Sequence, residues 1–315
     1  MNGIINAILP IVGLLAIGYF CKKNWIKDSS FWNNVNKLIY YIMFPCLMVS
    51  SIGRANFDET TDFSFIPVLV FIVIFFVACI WLAKPLFKSE GFWVAFIQGG
   101  VRYNSYVFIA ITLFYVDDDV MPVIALITAF LVMTTNVISV FILNKYSENK
   151  LGQVDTILAT LKNPLVFSCL LGLGVNALSH LIPIITHITW INNMLGHIGK
   201  ASLTLSLMSV GASLNFGVFK DNLMEIILCS GVKLILLPLT VVFVLLVLDF
   251  DPLLTLVCMI YAGSPCSSNA TAMTQAMGGD YESMSMIISV QTVLSILTLP
   301  VLMYGYSVYV TSLAL

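Results

Sequence analysis

The chain has 315 residues, 59% of them hydrophobic and only 10% charged, with a mean hydropathy of +1.00; that is less than half of the ~25% charge usual in a soluble domain, so it belongs in a bilayer. A net charge of -2, with no clustering of basic and aromatic residues, excludes a nucleic-acid-binding surface.

About 20 residues are needed to cross the hydrocarbon core as a helix. The apolar runs predict ten spans, near 3–21, 33–53, 65–84, 91–116, 120–144, 163–180, 196–216, 221–248, 252–277 and 281–309. The first run has no basic residues before it and reads as a span, not a cleaved signal. Lysines gather in alternate connectors: Lys22, Lys23 and Lys27 after span one, Lys84 and Lys88 after span three, Lys145, Lys150 and Lys162 around the fifth connector, and Lys220 after span seven. The other connectors hold Asp58, Glu59, Asp62, Asp117, Asp118, Asp119, Asp249 and Asp251, with Arg54 the basic exception. Since basic residues are retained in the cytoplasm, both termini are expected on the extracytoplasmic side of the cell membrane.

Ten spans divide into five and five, residues 1–144 and 163–315, joined by a cytoplasmic connector at 145–162. An odd number of spans per half inverts the second half relative to the first, the arithmetic of an inverted repeat. The polar interruptions agree: span four carries "QGGVRYNSYVF" and span nine "YAGSPCSSNATA", and these coincide when Gly100 is aligned with Gly263. The expected fold is therefore an all-α integral membrane protein of two inverted five-helix repeats with broken helices four and nine.

Unwound backbone in a membrane survives only where protein, ligand or water meets its N–H and C=O groups. Gly99, Gly100, Gly263 and Pro265 are the expected helix breakers. Asn104, Ser105, Ser264, Ser267, Ser268 and Asn269 supply polar side chains. Crossing of the two breaks would bring four half-helix ends together, amino ends offering N–H groups to anions and carboxyl ends offering carbonyls to cations. Arg102 costs about 2.5–3.5 kcal/mol at a helix centre unless paired or solvated. No acidic residue lies at its depth, which leaves two readings: attraction of an anion, or capping of the break through backbone carbonyls.

Gln98, Thr112, Asn136, Thr204, Ser206, Ser209, Gln275, Gln291 and Thr292 read more readily as packing between helices than as cavity lining. Lys37 and Lys233 are expected to extend along the helix to the cytoplasmic surface. The seven cysteines have no C-x-x-C spacing and read as small buried residues. His180, His187 and His197 lack acidic or cysteine companions, so no metal or cofactor is expected. No carboxylate falls at the midplane of a span, so the usual proton relay is missing; a proton or sodium ion could still couple transport.

With these residues in view, the sequence resembles the auxin efflux carrier family, including its bacterial malate or malonate permease-like members. The likeness rests on "NKLIYYIMFPCLMVSSI", "RYN", "NPLVFSCLLGLGVNAL", "LTLSLMSVGASL", "KLILLPLTV" and "AGSPCSSNATAMTQAMGGDYESMSMIISVQTVLSILTLPVL", in that order along nearly the whole chain. The resemblance implies a carrier related in architecture to bile acid transporters and sodium/proton antiporters. Helices four and nine would cross at the substrate site, one bundle serving as scaffold while the other moves. Carried over, the substrate positions are Asn104 and Ser105, and Pro265 with Ser267, Ser268 and Asn269; Arg102 joins them on the charge argument above. The chain lacks the long cytoplasmic loop of the plant exporters, and it has glycines and arginine where they carry an asparagine-proline motif, which argues against auxin as substrate.

The leading expectation is a secondary or facilitative transporter of small organic anions, malate- or malonate-like, working by alternating access, with the bilayer around it and a homodimer as a compatible assembly. The alternatives are a carrier of an auxin-like or other weak acid, or an anion-binding membrane sensor. An intramembrane enzyme is not expected, since Ser267 and Cys266 have no midplane histidine or carboxylate to activate them.

Overall fold

In a computed structural model of the chain, residues 2–55, 63–116, 120–146, 164–181, 189–214 and 223–313 are described. Asp58, Glu59, Asp62, Asp117, Asp118, Asp119, Lys150, Lys162, His187, Lys220 and most of the 145–162 connector lie outside them. All regular structure among the described residues is helical.

In chain order the helices are α1 (Asn2–Phe20), α2 (Ser29–Leu38), α3 (Phe44–Ile52), α4 (Phe65–Leu82), α5 (Glu90–Val101), α6 (Ser105–Tyr115) and α7 (Met121–Tyr146). They continue with α8 (Pro164–Leu181), α9 (Thr189–Ser213), α10 (Leu223–Gly231), α11 (Leu237–Val247), α12 (Pro252–Gly263), α13 (Asn269–Ala276) and α14 (Tyr281–Leu313). Wide π-turns extend α1 over Cys21–Trp25, join α2 to α3 over Ile39–Met43, and join α10 to α11 over Val232–Leu236. Among the described residues, six continuous stretches are long and apolar enough to cross a membrane: Gly3–Trp25, Ser29–Ile52, Phe65–Leu82, Val123–Tyr146, Leu223–Val247 and Tyr281–Ser312. This is a multi-pass membrane protein.

Helix starts follow from local chemistry. Asp28 Oδ1 accepts from the Ser30 amide (2.8 Å), Ser89 Oγ from the Phe92 amide (3.3 Å), and Asp251 Oδ1 from the Leu253 and Leu254 amides (2.8 and 2.9 Å). Each satisfies N–H groups that an α-helix leaves free at its first turn. In α4 no charge interrupts "FIPVLVFIVIFFVACIWL"; Leu69, Ile72 and Val73 are buried while Phe71, Ile74 and Phe75 face outward. Such an outer face would be a liability in water, but here it is the surface that meets lipid.

The helices pack in two groups. In the first, α9 lies between α1 and α3, and α3 packs on α8. Backbones touch at these crossings: a Cβ on Gly18 would sit 1.8 Å from the Met208 carbonyl oxygen, and one on Gly211 2.0 Å from that of Leu15. Gly199 does the same against Leu47, and Asn176 Nδ2 locks α8 to the end of α3 by donating to the Ile52 and Ala55 carbonyls (3.1 and 2.7 Å). In the second group α5 packs among α4, α7, α10 and α14, while α12 packs on α11, α14, α6 and α7. The apolar interior is divided: one core runs from α1, α3 and α9 to α6 and α12, and a second surrounds α5 and α13. The broken helices lie where these two cores meet.

Candidate functional site

The chain is non-helical at Arg102–Asn104, between α5 and α6, and at Ser264–Ser268, between α12 and α13. Ser264 is extended (φ -67°, ψ 140°) because the ring of Pro265 excludes the α conformation from the residue before it. In the first break Arg102 and Asn104 are extended without a proline to impose it. The two breaks meet directly, the Asn104 amide donating to the Pro265 carbonyl (2.7 Å).

The glycines act differently from the sequence expectation. Gly99 and Gly100 lie inside the last turn of α5 and Gly263 closes α12, none with positive φ. What they permit is close approach. A Cβ on Gly99 would stand 2.7 Å from Ile287 and 2.8 Å from the Cys229 sulfur, one on Gly100 3.0 Å from Ile80, and one on Gly263 2.9 Å from Leu299.

A clamp that sequence reasoning assigned to packing holds the crossover together. Gln291, on α14 and fully buried, accepts the Cys266 amide on Oε1 (2.9 Å) and donates from Nε2 to the Gly99 carbonyl (3.0 Å). One side chain thus satisfies a free amide of one break and a terminal carbonyl of the other helix. Gln98 adds a link from α5 to α13 through Thr274 Oγ1 (3.1 Å). The only sequence signal for either role is a glutamine in an apolar run.

A cavity of about 780 Å³ reaches the crossover. Arg102 and Ser105 line it from the first break, and Ser267, Ser268 and Asn269 from the second; Tyr40 joins them from the π-turn between α2 and α3. Asn104 and Pro265 are buried beside it without lining it. Asn33 and Lys37 of α2 and Ser213 at the end of α9 are exposed members of its lining, so it opens toward them. Toward the other end the crossover is backed by rings: Tyr103 on Tyr261 (4.6 Å between centroids, edge-on), with Phe108 against both.

The cavity's electrostatics are one-sided. Among the described residues, Arg102 and Lys37 are the charged ones that line it, and no carboxylate does. Arg102 is 5% exposed; its Nη1 lies 3.8 Å from the Met273 sulfur, and its Nε is buried without a hydrogen-bond partner. Asn104 accepts the Tyr106 and Val107 amides on Oδ1 (3.1 and 3.3 Å), capping α6, while its Nδ2 is buried and unpartnered. Both orphaned groups are donors. At the start of α13, Ser268 stands at the cap position without a side-chain cap bond, and the Ala270 amide is taken by the Ser267 carbonyl (3.0 Å).

Two sequence expectations about charge meet different fates. Lys37 is exposed at the cavity mouth. Lys233 does not reach the surface: it is 0% exposed, and its Nζ donates to the Ala262 carbonyl (2.8 Å). Ten residues into its helix it lies about 15 Å from the end, farther than a lysine side chain extends.

A family model described as membrane transport protein matches residues 3–116 and 150–303. A relative from Methanothermobacter thermautotrophicus, named an uncharacterized transporter, is 22% identical over 302 residues, which cover 95% of this chain and 97% of that protein.

Proposed function

Because the chain belongs to the membrane transport protein family, that of the auxin efflux carriers, and is a transporter and not an enzyme, we propose that it carries small organic anions, mono- or dicarboxylates of the malate and malonate class, by alternating access at the crossover. The observation that carries this reading is the cavity's charge: it is lined by Arg102 and Lys37, no carboxylate among the described residues balances them, and buried Nε and Nδ2 donors of Arg102 and Asn104 lack partners. A carboxylate offers acceptors to such donors, and its bonds to an arginine are charge-assisted. The hydroxyls of Ser267 and Ser268 and the Asn269 amide complete a set that favours anions.

In this reading the chain crosses the membrane ten times, as two inverted five-helix repeats over 1–144 and 163–315. The glycine-packed group of α1, α3, α8 and α9 is the scaffold, and the group carrying both broken helices moves against it. The lysine-rich connectors lie in the cytoplasm and both termini outside the cell membrane, so the cavity of this conformer faces inward.

The test is uptake of labelled malonate and malate into proteoliposomes, with wild type and Arg102→Gln compared. Glutamine keeps a polar donor of similar reach and removes the charge. The expected result is saturable wild-type uptake and a KM at least tenfold higher in the variant, since losing a charge-assisted bond costs about 1.5–3 kcal/mol. Folded wild-type protein that takes up no carboxylate, or an unchanged KM in Arg102→Gln, refutes the anion assignment.

A further inference from the structure

Lys233 is the one fully buried lysine among the described residues, and it stands outside the cavity. Its ammonium is not paired with a carboxylate; the ion pair among the described residues joins Lys84 to Glu90, far along the chain and exposed. The nitrogen instead meets the carboxyl end of α12, donating to the Ala262 carbonyl at 2.8 Å and lying 5.7 Å from the centre of the Tyr261 ring.

The carboxyl end of a helix carries about half a negative charge on carbonyls that have no intrahelical donors. In a broken membrane helix, that end is the place where coupling cations are held. Here carbonyls at both such ends are already taken from within. On α5 the Gly99 carbonyl takes the neutral amide of Gln291. On α12 the Ile260 carbonyl takes the Ser264 hydroxyl (2.7 Å), the Tyr261 carbonyl takes the Ser264 amide (3.2 Å), and the Ala262 carbonyl takes the Lys233 ammonium. The π-turn over Val232–Leu236 makes this possible, because it widens the helix at the residue that must aim across toward α12.

Resting on the transporter reading above, we propose that Lys233 is a tethered cation: its ammonium permanently occupies the place at the carboxyl end of α12 where a mobile ion would bind, so this carrier works without sodium. The lysine then supplies the positive charge that balances the helix terminus and, across the crossover, the incoming anion. It is a positioning residue that reaches the substrate through α12 and its break.

Two measurements on the full chain test this. Melting of the detergent-solubilised protein is compared in sodium, lithium and choline chloride, and carboxylate uptake into proteoliposomes is compared with and without an inward sodium gradient. Wild type is expected to melt at the same temperature in all three salts and to take up substrate equally in sodium and choline. Lys233→Met is expected to lose at least tenfold of uptake in either salt. Lys233→Ser, which opens space beside the Ala262 carbonyl, is expected to lose uptake in choline and to recover part of it, with a rise in melting temperature, in sodium or lithium; a folding defect alone would not produce that salt-selective rescue. Saturable stabilisation of wild type by sodium, wild-type uptake that requires the sodium gradient, or a Lys233→Ser protein that melts like wild type yet gains nothing from sodium or lithium would each overturn the assignment. Should wild type take up no carboxylate at all, the anion reading fails, while the melting comparison still decides the role of Lys233.

Discussion

Asn104 answers two demands with the two ends of one amide. Its oxygen caps α6, and its nitrogen is a buried donor with no partner in the protein. Asn104→Asp separates them, since aspartate caps a helix as well as asparagine does but offers no donor and adds negative charge. Uptake is expected to fall at least tenfold in protein that still folds; unchanged uptake, with the cap retained and the donor gone, would assign Asn104 to capping alone. The polar residues of the breaks were readable in the sequence because Arg102, Asn104, Ser267 and Asn269 interrupt runs where lipid-compatible side chains belong. Lys233 and Gln291 interrupt such runs too, yet their partners were not readable. Ala262 is 29 residues from Lys233 and Gly99 is 192 from Gln291, and only the packed fold sets those side chains beside those carbonyls.

Among elements, the broken helices owe their shape to one local cause and one distant one. Pro265 forces the second break by excluding helical backbone at Ser264, and proline is visible in any sequence. The first break has no such residue; it is held open by the bond from the Asn104 amide to Pro265 and by the Gln291 clamp. Gln291→Leu keeps the volume but leaves the Cys266 amide and the Gly99 carbonyl buried without partners, at about 1–3 kcal/mol each. A lower melting temperature is expected, together with loss of uptake; a variant as stable as wild type would mean that the breaks hold without the clamp. The sequence marked Gly99, Gly100 and Gly263 correctly as special but assigned them to unwinding. Glycine serves both unusual dihedrals and close approach, and which use applies depends on neighbours such as Ile287 and Leu299 from a distant helix. The same holds for Gly18 and Gly211, whose contact across α1 and α9 joins parts of the chain nearly 200 residues apart.

For the whole molecule, the membrane character and the helical class followed from composition, and the two helix breaks from two polar interruptions. The grouping of helices did not, because lipid-facing and protein-facing sides of these helices are equally apolar and leave little periodic signal; in α4 Phe71 meets the bilayer and Phe76 the core. The cavity's opening makes accessibility measurable. Ser268→Cys is expected to react with a membrane-impermeant thiol reagent applied to the lysine-rich side in this conformer, and to be protected by bound carboxylate. Wild type should give no substrate-protected labelling, since none of its seven cysteines lines the cavity. Labelling only from the opposite side would reverse the assigned orientation.

The ring packing of Tyr103, Tyr261 and Phe108 also has an electrical meaning. With solution brought up to the crossover on one side, the membrane voltage does not fall evenly over the ~30 Å of hydrocarbon; it is concentrated across the sealed layer behind the site. An elementary charge that crosses the full potential gains or loses ~2.3 kcal/mol per 100 mV, and Arg102 stands at the edge of that layer. In the proposed alternating-access cycle, a displacement of a few ångströms, far less than the membrane's thickness, would carry its charge through much of the field, so an imposed membrane voltage is expected to bias which way the cavity faces.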